Sequence, residues 1–250
     1  MKGFRFAALL GALCLTAPVA AQNRAPLVLA AASLQESMTA AADAWAKKGH
    51  ARPVISFAAS SALARQVQAG GKADLFASAG EEWMDVLQKE GLLADRTRSA
   101  FLGNRLVVIA PVGQGGQVTT RSLGKTLSAG PLAMADTESV PAGKYGKAAL
   151  EKLGAWAMVA PHVVRAENVR AALALVERGA APYGIVYETD ARASRQVHVV
   201  GLFPAASHPP ITYPLARLKA STNAEAEGFR RFLLSGEGKA IFRRYGFSTR

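Results

Sequence analysis

Five positions carry the chemistry this sequence offers most clearly: Ser33, Ser60, Ala142, Val169 and Tyr187. The first four stand where an extended run gives way to a helical pattern. At 27–38 the chain reads LVLAAASLQESM, an apolar run, a small-residue junction, then the start of an amphipathic helix. A helix N-terminus leaves several backbone N–H groups unpaired, with the positive end of the peptide dipoles behind them. Such an end either takes an ordinary cap or forms one wall of an anion site. Ser33 and Ser60 add hydroxyls to their junctions, and Tyr187, at the far end of YGIVY, adds a phenol. Together these groups would surround a compact anion with neutral donors only, which hold a dianion yet release it when the cage opens.

Ser33 and Glu36 form a Ser-x-x-Glu capping box, so Ser33 is the expected N-cap and Glu36 is expected to hold the turn. Ser33 then aims its hydroxyl proton and backbone N–H into the cleft. With Glu36 so engaged, no carboxylate faces any of the four junctions. A carboxylate there would accept the proton of hydrogen phosphate, so the expected ligand is a fully deprotonated tetrahedral oxyanion. The plainer reading is that Ser33 and Ser60 cap helices and Tyr187 is a core tyrosine at a strand end.

Catalysis is poorly supported. None of His50, His162, His198 and His208 has a second ligand at metal-binding spacing. No Gly-x-Ser-x-Gly elbow is present. The loop GQGG at 113–116 lacks the Gly-Lys-Ser/Thr ending of a phosphate loop and opens no helix, so it reads as a surface turn.

The elements that must position the five residues follow in order. Residues 27–31 read as a buried strand. The next helix puts Leu34, Met38, Ala41, Ala42 and Trp45 on one stripe and stops near Gly49. Residues 53–59 form a second strand that meets Ser60-Ser61 and a short helix closed by Gly70-Gly71. Residues 73–77 form a third, and Ser78 with Glu81 suggests another capping box before a helix over 81–89. Strands follow at 106–110 and 131–135. Then Val140-Pro141-Ala142-Gly143 leads into a helix, with proline suited to its first turn. Asn168 is the natural N-cap of a helix that carries Val169, Leu173 and Val176 on one face. Strands at 183–187, 197–203 and 211–218 precede two short helices broken near Ser235-Gly236. Strand–helix alternation followed by late returning strands fits a two-lobed α/β protein with strands crossing between the lobes.

The 250 residues suffice for two lobes of about 100 residues each. Residues 1–21 read as a secretory signal peptide: Lys2 and Arg5, a short apolar core, and small residues before a cut at Gln22. The only cysteine, Cys14, lies inside it after Leu13, which argues against lipidation and leaves the mature chain without a thiol. Removing Lys2 and Arg5 lowers the formal charge from +12 by two, to +10. Export and the lack of a basic-aromatic stripe argue against nucleic acid as the partner. The cations near the C-terminus read mainly as a solvated face that adds some steering of anions.

The motifs LAAASL (29–34), SFAASSALARQ (56–66), ADLFAS (73–78), LGNRLVVIAP (102–111), VPAGKYGKAALEKLGAW (140–156), AENVRAALALVERGAAPYGIVYETDA (166–191) and FRRYGF (242–247) cover nearly the whole mature chain. Together they resemble the periplasmic molybdate-binding proteins of bacterial ABC transporters, which are type II solute-binding proteins. The resemblance implies a two-lobed α/β periplasmic-binding-protein fold, each lobe a sheet flanked by helices, with the ligand in the inter-lobe cleft. Lobe one is expected over 25–106 and 210–250, lobe two over 107–209. The implied ligand is molybdate, with tungstate beside it, and molybdenum is bound as the oxyanion rather than as a cation. Carried over by motif, Ser33, Ser60 and Tyr187 give hydroxyls, and Ala142 and Val169 give backbone N–H groups. Ala59 departs from the pattern, since relatives carry a further serine there. The implied role is a monomeric, non-enzymatic periplasmic receptor without a cofactor that closes over the anion and delivers it to a membrane permease. Receptors for another oxyanion such as sulfate or thiosulfate, an exported enzyme acting on an anionic substrate, and a binder of small organic solutes are the alternatives.

Overall fold

A computed structural model describes residues 24–250; the expected signal peptide lies outside them. In chain order, β1 (Leu27–Ala31) runs through a 3₁₀ turn at Ala32–Leu34 into α1 (Gln35–Ala46). Next come β2 (Val54–Ala58), α2 (Ser60–Gln68), β3 (Leu75–Ala77), α3 (Glu81–Lys89) and β4 (Ser99–Gly103). Then follow β5 (Leu106–Pro111), α4 (Leu123–Leu127), β6 (Leu132–Ala135), α5 (Pro141–Lys152), α6 (Trp156–Val159) and β7 (Val163–Ala166). The chain continues through α7 (Val169–Glu177), β8 (Tyr183–Tyr187), α8 (Glu188–Arg192) and β9 (Val197–Leu202). It closes with β10 (Thr212–Arg217), α9 (Ala224–Leu234), α10 (Gly236–Arg244) and β11 (Ser248–Thr249).

These strands make two sheets, in the orders β11-β4-β10-β3-β1-β2 and β7-β6-β8-β5-β9. The first serves lobe one and the second lobe two. β1 pairs in parallel with β2 and β3, and β6 in parallel with β7 and β8. Strands flanked by helices on both faces become continuous apolar runs, and β5 and β6 are buried along their whole length. The chain crosses between sheets twice: at Asn104-Arg105, from β4 to β5, and at 203–211, from β9 to β10. Leu106, expected to close the first lobe, is the first residue of β5 and belongs to the second sheet.

α1 buries Met38, Ala41, Ala42 and Trp45, the stripe its period predicts. The Trp45 ring packs 5.9 Å from Phe229 and 5.5 Å from Phe232 of α9, tying the C-terminal helices to lobe one. Gly49 and Gly91 close α1 and α3 with φ of 89° and 68°, a conformation that favours glycine. The tail helices break at Ser235, which caps α10 by accepting from the Gly238 N–H.

Two expected capping boxes do not form. α1 begins one residue after Leu34, which has no side-chain cap, and Ser33 lies inside the preceding 3₁₀ turn. α3 begins after Gly80; Ser78 donates to the Gly80 carbonyl, and Glu81 instead accepts from Arg98 and Thr212. In both cases a side-chain partner from outside the turn takes the carboxylate.

Candidate anion-binding site

All five residues are buried, none more than 4 % exposed, and they line one cavity between the lobes. Lobe one contributes Ala31, Ala32 and Ser33 after β1, Ala58, Ala59 and Ser60 after β2, and Ala79 after β3. Lobe two contributes Val140, Pro141 and Ala142 at the start of α5, Asn168 and Val169 at the start of α7, and Tyr187 at the end of β8. The cavity volume is about 10 Å³. Sites for drug-sized ligands run to roughly 300–1,000 Å³, so this one suits nothing larger than a compact solute.

Local sequence decides which amides face the cavity. Pro141 has no N–H, so the first amide of α5 is that of Ala142. The Asn168 side chain accepts from the Arg170 and Ala171 N–H groups at 2.9 and 3.0 Å, which leaves the Val169 N–H outside the cap. This is the cap the sequence predicts. Gly143 has a packing reason: a Cβ there would collide with the carbonyl oxygens of Ala135 and Asp136 at the end of β6. Its absence lets α5 seat against that strand end.

The hydroxyls are held in place too. Ser60 Oγ accepts from the Ala79 N–H at 3.0 Å, and among the described residues its own proton has no other partner. Tyr187 OH donates to the Ala79 carbonyl over a long 3.5 Å, a bond across the two lobes. Burial pushes the Tyr187 phenol well above its ordinary range, so it stays a donor. Ser33 Oγ lies 3.0 Å from the hydroxyl of Tyr213. Tyr213 was not among the sequence candidates. Its signal was a tyrosine inside a buried strand, where a phenol needs a polar partner.

Glu36 does not hold its own turn. Both of its oxygens accept from Arg170 in the first turn of α7, at 2.7 and 2.5 Å, while Arg170 Nε donates to Asp190 at 2.6 Å. Asp190 is fully buried and also accepts from the Tyr187 N–H at 3.2 Å. Burial pushes Asp190 up to about 6 against the pull of Arg170, and the two carboxylates raise Arg170. This cluster fastens lobe two to α1 behind the cavity. Trp83 Nε1 donating to the Ser139 carbonyl at 2.8 Å and Lys144 paired with Glu82 at 2.5 Å fasten another edge. Among the described residues no charged side chain lines the cavity itself. Its lining residues are alanine, serine, valine, proline, asparagine and tyrosine. Among the described residues no cluster of three His, Cys, Asp or Glu side chains could hold a metal ion.

Known proteins resemble this chain in sequence and fold. The family of bacterial extracellular solute-binding proteins matches residues 26–248. The molybdate-binding protein ModA of Escherichia coli (strain K12) is 45 % identical over 227 residues, 89 % of this chain and 88 % of that protein. The substrate-binding domain of a putative molybdenum ABC transporter from Clostridium difficile is 34 % identical and superimposes with a TM-score of 0.69, covering 89 % of this chain and 97 % of that one. The periplasmic molybdate-binding protein of Azotobacter vinelandii, at 24 % identity, shares the fold with a TM-score of 0.80 over 89 % of this chain and 98 % of its own. The chain shares its overall fold with these structures, and with the family model matching residues 26–248 it belongs to the bacterial extracellular solute-binding proteins.

Proposed function

We propose that this protein captures molybdate, and tungstate with it, through Ser33, Ser60, Ala142, Val169 and Tyr187, and hands the anion to the membrane permease of an ABC transporter. The observation that carries the proposal is the meeting of these five donors, from both lobes, around one small cavity without a charged lining. Neutral donors at helix starts favour an anion, and a lining without a carboxylate favours one that has no proton to give. Identity of 45 % to a molybdate-binding protein supports the choice of anion. The protein acts in the periplasm as a monomer, catalyses no reaction and needs no cofactor. Among the described residues no helix is long and apolar enough to cross a membrane. Delivery follows from shape: closure brings Trp83 to Ser139 and Glu36 to Arg170, and a permease can tell that composite surface from the open one.

The test is a titration of the exported protein followed by tryptophan fluorescence. Trp83 bridges the lobes, so molybdate should shift its emission and Trp83→Phe should remove most of the change. A wild-type protein whose emission and calorimetric heat do not respond to molybdate would refute the proposal.

A further inference from the structure

Two serines face the cavity, and each must point its proton inward to serve an anion. For Ser60 the Ala79 N–H settles the direction. For Ser33 the partner is another hydroxyl, Tyr213, and either oxygen could donate. The answer lies one residue further out. Asn104, in the first crossing between the sheets, accepts from the Arg105 N–H through Oδ1 at 2.9 Å. That anchors the amide and leaves Nδ2 to donate, to Thr189 Oγ1 at 2.8 Å and to Tyr213 OH at 3.1 Å. Asn104 Nδ2 has only protons to offer. Tyr213 therefore accepts from Asn104, and its single proton goes to its one other partner among the described residues, Ser33. Ser33 Oγ accepts, and its own proton is left for the cavity it lines.

We propose that Tyr213 is a positioning residue for anion binding: the relay Asn104 to Tyr213 to Ser33 sets Ser33 as a donor toward the cavity and takes up one of the two lone pairs with which Ser33 could accept a proton from a ligand. The inference rests on the anion-binding reading of the cavity. Its consequence is selectivity as well as affinity. With Tyr213 in place, Ser33 turns its proton to the cavity and keeps only one lone pair, which makes it a poorer acceptor for the remaining proton of hydrogen phosphate. A fully deprotonated oxyanion loses nothing by this. The fold holds Tyr213 in position: it is fully buried, its ring meets Phe247 edge-on at 5.3 Å, and a register shift in β10 falls between it and Pro214. Such irregularities re-aim side chains. Burial keeps the phenol protonated, and hence a donor, at any physiological pH. The relay also draws on both lobes, through the crossing segment at Asn104 and through Thr189 of α8.

The experiment is a double-mutant cycle in calorimetric titrations with molybdate, with phosphate measured by competition. Tyr213→Phe keeps the ring and its packing. It should weaken molybdate binding roughly ten-fold, narrow the molybdate-over-phosphate ratio, and change affinity less than about two-fold in a Ser33→Ala background, because the phenol acts through Ser33. Asn104→Ala, which spares the phenol, should produce a smaller loss in the same direction. A Tyr213→Phe effect that persists undiminished in the Ser33→Ala background, or that lowers molybdate and phosphate alike, would overturn the inference while leaving the proposed function standing. Failure of wild type to bind molybdate would overturn both.

Discussion

Replacing Ser60 with alanine separates the binding reading of this residue from the capping one. Ser60 Oγ accepts from the Ala79 N–H at 3.0 Å, and both groups belong to lobe one. The bond therefore exists whether the cleft is open or closed. Removing the hydroxyl should have two effects. In the empty protein a buried amide loses its acceptor, which costs about 1–3 kcal/mol of stability. In the complex a hydrogen bond to a charged ligand is lost, worth about 1.5–3 kcal/mol, or roughly ten- to a hundred-fold in Kd. Ala79 lies on the cavity wall, so its freed N–H can turn toward the anion and recover part of the loss. The expected weakening is therefore near the ten-fold end. Calorimetric titration with molybdate gives the affinity, and thermal melting of the empty protein gives the stability. Lower stability with unchanged affinity would refute the argument, because it would mean that Ser60 serves only Ala79.

Further outcomes follow from the same geometry. Glu36→Gln removes the charge that Arg170 meets across the lobes; the closed form should lose about 1 kcal/mol, an affinity loss of roughly five-fold that shrinks in high salt. Arg170→Met strands the fully buried Asp190 and should cost about 3 kcal/mol or more at pH 8. With Arg170 gone, Asp190 takes up a proton in the folded state more readily than when unfolded. Stability of that variant should thus fall as pH rises, making the deficit in melting temperature larger at pH 8 than at pH 5. Gly143→Val should disrupt the seating of α5 on β6, visible as a lowered melting temperature and weak anion binding together.

Much of this was legible because the site is built on local junctions. Strand-to-helix transitions show in hydrophobic periodicity, and a proline at Pro141 or an asparagine at Asn168 states which amide is left over. Helix stops at Gly49 and Gly91 read equally well. Long-range partners did not. Ser33-x-x-Glu36 has the form of a capping box, yet Ser33 sits in a 3₁₀ turn and Glu36 answers a guanidinium 134 residues away. A bidentate pair between lobes outweighs a local cap that only satisfies one exposed amide. β4, with its small and glycine-ended SAFLG, carries little strand signal and owes its place to pairing with β10 and β11. The contact of Tyr213 with Ser33 spans 180 residues, a separation that no spacing rule reaches.

The most direct test of the account is a calorimetric titration of the wild-type protein with molybdate, tungstate, sulfate and phosphate under one set of conditions. A cavity lined by donors without a carboxylate predicts tight binding of molybdate and tungstate and feeble binding of phosphate. Tight binding of sulfate or phosphate with no heat from molybdate would contradict it.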